Sequence, residues 1–179
     1  MVLTDPFFWA FLATFAIVGG DAIQGSPVVG RSTWFGLVVV LTATFGRVVL
    51  ALPFVVQPRF GTGPALWIVG AGIVALSLAI MAPLLRIRPL TRPDATEELR
   101  TSGVYELVRH PGYLANTLWG LGWAIVFGST IGVLLTPVWA VVFWLHALIE
   151  EESLQRAYGD AYRAYMMRVR CRLIPGVPL

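Results

Sequence analysis

Apolar runs separated by short polar breaks organise this chain. A helix needs about 20 apolar residues to cross a hydrocarbon core of about 30 Å, at about 1.5 Å rise per residue. The first run covers 6–20 and continues weakly to residue 23, with Asp21 near its end. The second covers 33–56; Arg47 interrupts it, and Pro53 predicts a bend. The third, 65–85, is 21 residues without a charged side chain. A fourth block, 113–149, is too long for one crossing. Gly128, Ser129 and Thr130 divide it, which predicts a tight hairpin of helices over 113–127 and 131–149. The pattern predicts an all-α fold, a multi-pass membrane helix bundle. About five transmembrane helices would be followed by a C-terminal interfacial helix.

Composition agrees. The hydrophobic fraction is 57%, charged residues make up 13%, and mean hydropathy is +0.75. Soluble domains carry about 25% charged residues, so too few polar side chains exist here to cover a water-facing surface. The same apolar content excludes a disordered chain. A length of 179 residues suits a single membrane domain. Its parts would be three spans over 1–85 and, over 86–179, a loop, a helical hairpin and a C-terminal helix. No basic residue precedes the first apolar run and no convincing small-residue cleavage site follows it. It therefore reads as a span and not as a signal peptide.

All 13 basic residues are arginine. The absence of lysine excludes Schiff-base chemistry and a P-loop. Segments 86–110 and 150–179 hold five arginines each, beside apolar runs, which argues against a nucleic-acid surface. Both segments fall on one side of a bilayer if the hairpin between them crosses twice. Arg31 adds to that side, Arg59 falls on the other, and Arg47 is intramembrane. The positive-inside rule then puts the N-terminus outside and the C-terminus in the cytoplasm, as for a prokaryotic plasma-membrane protein. A single cysteine, Cys171, excludes an internal disulfide. His110 and His146 lie far apart in sequence, so no metal site is expected.

Candidate chemistry begins where hydrophobicity stops. The stretch 101–117 reads TSGVYELVRHPGYLANT. Arg109 and His110 precede Pro111, a residue suited to a first helical position. An Arg-His pair beside a helix start can hold an anion or cofactor, or else anchor a helix end at the headgroups. Glu150, Glu151 and Glu152 follow the last apolar helix directly. If that helix continues, Glu152 and Arg156 form an i, i+4 pair. Glu150 and Glu151 then sit at the membrane boundary and need a partner: a cationic ligand, or an arginine such as Arg47 or Arg109. Tyr158, Tyr162 and Tyr165 share one helical face in the tail, which predicts an amphipathic interfacial helix. Gly70, Gly72, Gly120 and Gly122 within apolar runs read as close-packing positions.

RHPGY, then about forty residues, then EE..L...YG..Y..Y......R.IP resembles the isoprenylcysteine carboxyl methyltransferase and phospholipid methyltransferase superfamily. These are small membrane enzymes using S-adenosylmethionine. The resemblance covers roughly 101–175; residues 1–85 match only as spans. It implies a cofactor-binding set of Tyr105, Arg109, His110, Pro111, Tyr113, Gly120, Gly122, Glu150 and Glu151. It also implies Glu150 and Arg156 near the reacting groups. Arg47 joins them on different grounds: an intramembrane arginine could orient an anionic head group. The implied partners are membrane lipids and a lipophilic or lipidated acceptor, with no nucleic acid and no metal. Ala115 stands where the family often has glycine, and Arg170-Cys171 replaces a common proline. Two other readings remain open: an NADPH-dependent sterol-type reductase with a similar RHPxY region, and a non-catalytic membrane partner.

Overall fold

A computed structural model describes residues 2–24, 33–85 and 99–178. Its helices are α1 (Pro6–Gln24), α2 (Thr33–Ala51), α3 (Pro64–Leu85), α4 (Pro111–Val126), α5 (Thr130–Tyr158) and α6 (Asp160–Arg168). Short 3-10 turns cover Val2–Thr4 and Gly103–Glu106. The described residues form no sheet; only two isolated bridges occur among them. Arg31 and the arginines at 86, 88 and 92, used above for orientation, lie outside the described residues.

α1 packs along α2, and α3 packs along α4; α5 ties the two pairs together through α4, α1 and α2. The core lies where they meet, in Ala13, Ile17, Leu50, Val55, Trp139 and Phe143. The α3–α4 seam is set by two glycines. A Cβ on Gly70 would stand 2.9 Å from the Gly122 carbonyl oxygen, and one on Gly122 would stand 3.0 Å from that of Gly70. Only hydrogen at both positions lets the backbones approach this closely.

Many large apolar side chains lie on the outer surface of the helices. Phe7, Phe11 and Phe15 on α1, Ile68 and Leu76 on α3, and Leu134 and Val141 on α5 are all exposed. Contiguous apolar surface on this scale is unsuited to water and suited to lipid. Two helices, over Pro64–Leu84 and Thr130–Tyr158, are long and apolar enough to cross a membrane. α1 and α2 contain shorter apolar stretches, Pro6–Val18 and Leu41–Ala51.

Two boundaries differ from the sequence expectation, each for a local reason. α2 stops at Ala51 instead of bending and continuing to 56. Pro53 disfavours helical geometry in the residue before it. Side chains then take up the freed carbonyls: Gln57 donates to Leu50, and Arg59 donates to Ala51, Leu52, Val55 and Phe127. α5 begins as expected after the 128–130 break, with the Ser129 hydroxyl accepting from Gly132 N at 3.0 Å. It runs on to Tyr158, beyond the expected end at 149, so Glu150–Glu152 lie inside a helix and not at its C-terminus. It ends at Gly159, whose φ of +54° costs glycine little. α6 is then only nine residues long. Tyr162 and Tyr165 are buried against Leu99, Tyr105 and Leu154, so this part of the tyrosine face meets protein.

Candidate functional site

The site is built around the start of α4. Pro111 opens that helix, and His110 before it has non-helical geometry (φ −122°, ψ 66°). The preceding backbone is free to pair elsewhere. Arg109 N donates to Cys171 O at 2.9 Å and His110 N to Arg172 O at 3.0 Å. The polar strip before the hairpin and the strip after it therefore lie side by side. α6 reinforces the pairing: the Tyr165 hydroxyl donates to Tyr105 O at 2.8 Å, and Arg168 donates to Thr101 O at 3.2 Å.

Glu151 is the hub. Arg109 Nε donates to its Oε1 at 2.7 Å and His110 Nε2 lies 3.3 Å from the same oxygen. Arg172 grips both oxygens, Nε to Oε1 at 3.1 Å and Nη2 to Oε2 at 2.9 Å. The Glu151 side chain is only 5% exposed. A carboxylate this buried requires such partners. Arg109 Nη1 also donates to the carbonyls of Val169 and Arg170.

Glu150, next on the helix, points to a different side. His110 Nδ1 lies 3.2 Å from its Oε2, and the Tyr113 side chain also hydrogen-bonds to it. Its side chain is 45% exposed, so this carboxylate has an open flank. Tyr113 stacks on His110 (centroids 5.6 Å) and on Phe143 (5.4 Å).

His110 is thus held between two carboxylates by both ring nitrogens. Burial alone would lower its pKa. The hydrogen bonds and charges of Glu150 and Glu151 outweigh burial and raise it. A raised folded pKa stabilises the fold fully below the unfolded value of about 6.5, and the gain is lost as pH rises through the folded value. Thermal unfolding from pH 5 to 9 is expected to show a melting temperature falling over that upper window. In His110→Ala this part of the slope disappears.

The remaining residues singled out from sequence fall elsewhere. Arg47 is buried inside the bundle at 1% exposure. Its guanidinium meets α4 and not a glutamate: Nη1 donates to Asn116 O at 2.7 Å and Nη2 to Asn116 Oδ1 at 2.9 Å. It lies 5.4 Å from the Phe143 ring centroid. Gly120 packs against the Arg47 side chain and Gly122 against α3. Arg156 is exposed and pairs with Glu152, the i, i+4 contact expected from spacing. Tyr105 is half-buried beneath α6, and Pro111 is buried. No group of three metal-ligating side chains occurs among the described residues. Arg172 escaped the sequence reading, although the terminal R.IP pattern contains it. His146, read from sequence only as distant from His110, has its ring centroid 6.4 Å from that of Tyr113.

Two buried donors border this cluster without a hydrogen-bond partner among the described residues, the Tyr162 hydroxyl and Trp144 Nε1. Tyr162 feels the charges of Glu151 and Arg109. Arg172 lies over the Trp144 ring, 5.6 Å from its centroid.

An apolar helical bundle with a buried Arg-His-carboxylate cluster at the mouth of α4 defines the class: an all-helical membrane protein with a polar cluster at one end of a helix. Residues 59–161, more than half of the chain, match the phospholipid methyltransferase family, and the chain belongs to it. It is similar to the protein-S-isoprenylcysteine O-methyltransferase of Schizosaccharomyces pombe, 33% identical over 82 residues, covering 45% of this chain and 33% of the relative. Protein-S-isoprenylcysteine O-methyltransferase B of Arabidopsis thaliana is 30% identical over 82 residues, 44% and 40% of the two chains. The Delta(14)-sterol reductase of Mus musculus is 35% identical over 94 residues, 49% of this chain and 22% of the relative. The chain thus spans between 22% and 40% of the length of these relatives.

Proposed function

We propose that this protein moves a methyl group from S-adenosylmethionine to a lipophilic acceptor at the cytoplasmic boundary of the membrane. The observation carrying this reading is the closure of Arg109, His110 and Arg172 on Glu151, where two polar strips meet over the start of α4.

The residues present fit the donor. With His110 protonated, three cations face Glu150 and Glu151, leaving one surplus positive charge for a ligand carboxylate. The open flank of Glu150 suits an ammonium. The unpartnered donors of Tyr162 and Trp144 suit further polar atoms. Arg109, His110, Glu150 and Tyr113 would hold the donor, with Tyr105 and Pro111 shaping the surrounding wall. When bound, the donor supplies an activated methyl on a sulfonium with a good leaving group.

The chain's own task is alignment and exclusion of water. Alignment can contribute on the order of 7–11 kcal/mol to the barrier. Paired strips and α6 cover the polar end, while the bundle holds the lipophilic tail. Arg47, buried and bonded to Asn116, would act from within α2 by holding α4 in place. Arg156, exposed and joined to Glu152, would act at the rim. Five crossings with a cytoplasmic C-terminus would put both strips on the side where the donor is made.

Calorimetry on the detergent-solubilised protein tests the reading directly. S-adenosylmethionine is expected to bind, and cells supplied with methyl-labelled methionine should gain a labelled lipophilic product only when the protein is present. Binding of NADPH alone would instead establish the reductase reading. Binding of neither would establish a non-catalytic partner.

A further inference from the structure

Pro111 opens α4, and His110 before it caps the helix without a side-chain hydrogen bond. The opening turn is held from the side instead. Asn116 Nδ2 donates to Gly112 O at 3.1 Å, one turn back on the same helix. Both oxygens of Asn116 are taken from α2: Arg47 Nη1 donates to the main-chain oxygen at 2.7 Å and Nη2 to Oδ1 at 2.9 Å. Arg47 Nε donates to Ala43 O at 2.8 Å, which ties the guanidinium to its own helix. Gly120 leaves room for the fork, since a Cβ there would already lie 3.4 Å from Arg47 Cδ and Nη1. One planar side chain on α2 thus grips two oxygens of one residue on α4.

A second line of contacts runs from Arg47 to the polar cluster. The guanidinium lies 5.4 Å from the Phe143 centroid. Phe143 stacks on Tyr113 with centroids 5.4 Å apart and planes 19° apart, and Tyr113 stacks on His110 at 5.6 Å and 18°. The three rings form a nearly parallel column between a buried cation and the imidazole. His110, at its far end, is faced by Glu150 and Glu151 from α5 and by Tyr113 from α4; Arg109 and Arg172 reach the shared Glu151. Tyr113 also bonds to Glu150. The position of the column therefore sets how both residues meet that carboxylate.

Stability does not account for Arg47. Its side chain is buried, and among the described residues its hydrogen bonds go to neutral oxygens. Exchanging buried ionic groups for well-packed apolar ones is often neutral or stabilising. What the guanidinium adds is register. A rigid fork meets both oxygens of Asn116 in one geometry only, so α4 cannot slide or turn against α2 without breaking it.

We infer that Asn116 is a positioning residue of this site: clamped by Arg47, it fixes the opening turn of α4 and with it the Phe143–Tyr113–His110 column that holds the imidazole between Glu150 and Glu151. It acts through those rings and touches neither donor nor acceptor. Its consequence for donor binding rests on the methyl-transfer reading above; its consequence for His110 does not.

The test uses the full chain in lipid nanodiscs. In the double variant Arg47→Met/Asn116→Leu both sides of the clamp become apolar, so neither is left as an orphaned polar group. Its melting temperature should stay within about 5 °C of wild type. The chain has two histidines, so 15N-histidine spectra contain two rings, and His110→Ala identifies them. Without donor, the His110 titration midpoint in the double variant should fall by at least about half a pH unit, because the ring is no longer held against both carboxylates. Removing the Arg47 charge alone would raise that midpoint, so a fall reports position and not charge. S-adenosylmethionine affinity by calorimetry should drop at least about tenfold. Arg47→Lys keeps the charge and loses the fork, so it should shift the midpoint in the same direction by a smaller amount, and it decides the case if the double variant does not fold. An unchanged or raised midpoint in a folded double variant, or a wild-type midpoint in Arg47→Lys, would overturn the inference. Failure of S-adenosylmethionine to bind the wild-type protein would overturn the function proposed above, and the titration alone would then decide the place of Asn116.

Discussion

Glu151→Gln is expected to cost the protein about 3–5 kcal/mol of stability, the range for breaking a buried ion pair from one side. The carboxylate is 5% exposed, and it neutralises Arg109 and Arg172 directly while sharing His110 with Glu150. Glutamine keeps the volume but removes the charge, and its amide N–H groups would face guanidinium donors. Three cationic groups would then be left close together with only Glu150 to offset them. The loss should appear as a lower midpoint in denaturant unfolding in detergent, accompanied by lost donor binding. An unfolding midpoint within about 0.5 kcal/mol of wild type, the range for ordinary surface changes, would remove Glu151 from its central place.

Glu150→Gln should behave in the opposite manner. Its side chain is 45% exposed and one flank is open, so the fold depends on it less. Donor affinity should drop at least about tenfold, equivalent to about 1.4 kcal/mol. The melting temperature should move by less than about 3 °C. His110→Ala should likewise weaken donor binding more than it lowers stability, and its stability cost should shrink as pH rises through the raised pKa of His110. Equal losses in binding and stability would make both residues structural. Calorimetry and thermal unfolding on the same preparations separate the outcomes.

Much of the helical layout was legible in the residues because lipid-facing helices need long apolar runs. The 128–130 break was readable from Gly-Ser-Thr, and α5 does start there, capped by Ser129. The end of α5 was not. Glu150–Glu152 look like a stop by hydropathy, yet a helix needs no apolar side chains once one face has a partner. Glu151 gains its partners from segments 42 residues before it and 21 after it. Such long-range pairing leaves no periodic trace. Arg47 illustrates the same limit. Its burial within an apolar run was plain, but its partner is the Asn116 carbonyl and side-chain amide, and no charge pattern announces a carbonyl. The two histidines looked unrelated, 36 positions apart; both approach Tyr113. The tyrosine face of the tail was correctly periodic, and only the packed structure reveals that protein covers it.

The family match stops at residue 161, whereas Val169, Arg170, Cys171 and Arg172 give Arg109 and His110 their main-chain partners. A version of the chain trimmed to the matched stretch would keep all of α3, α4 and α5. It would nevertheless leave Arg109 and His110 without the segment that closes over them. Borders drawn from similarity alone would therefore cut away the partners of Arg109 and His110, and residues 169–172 belong with the cluster they close.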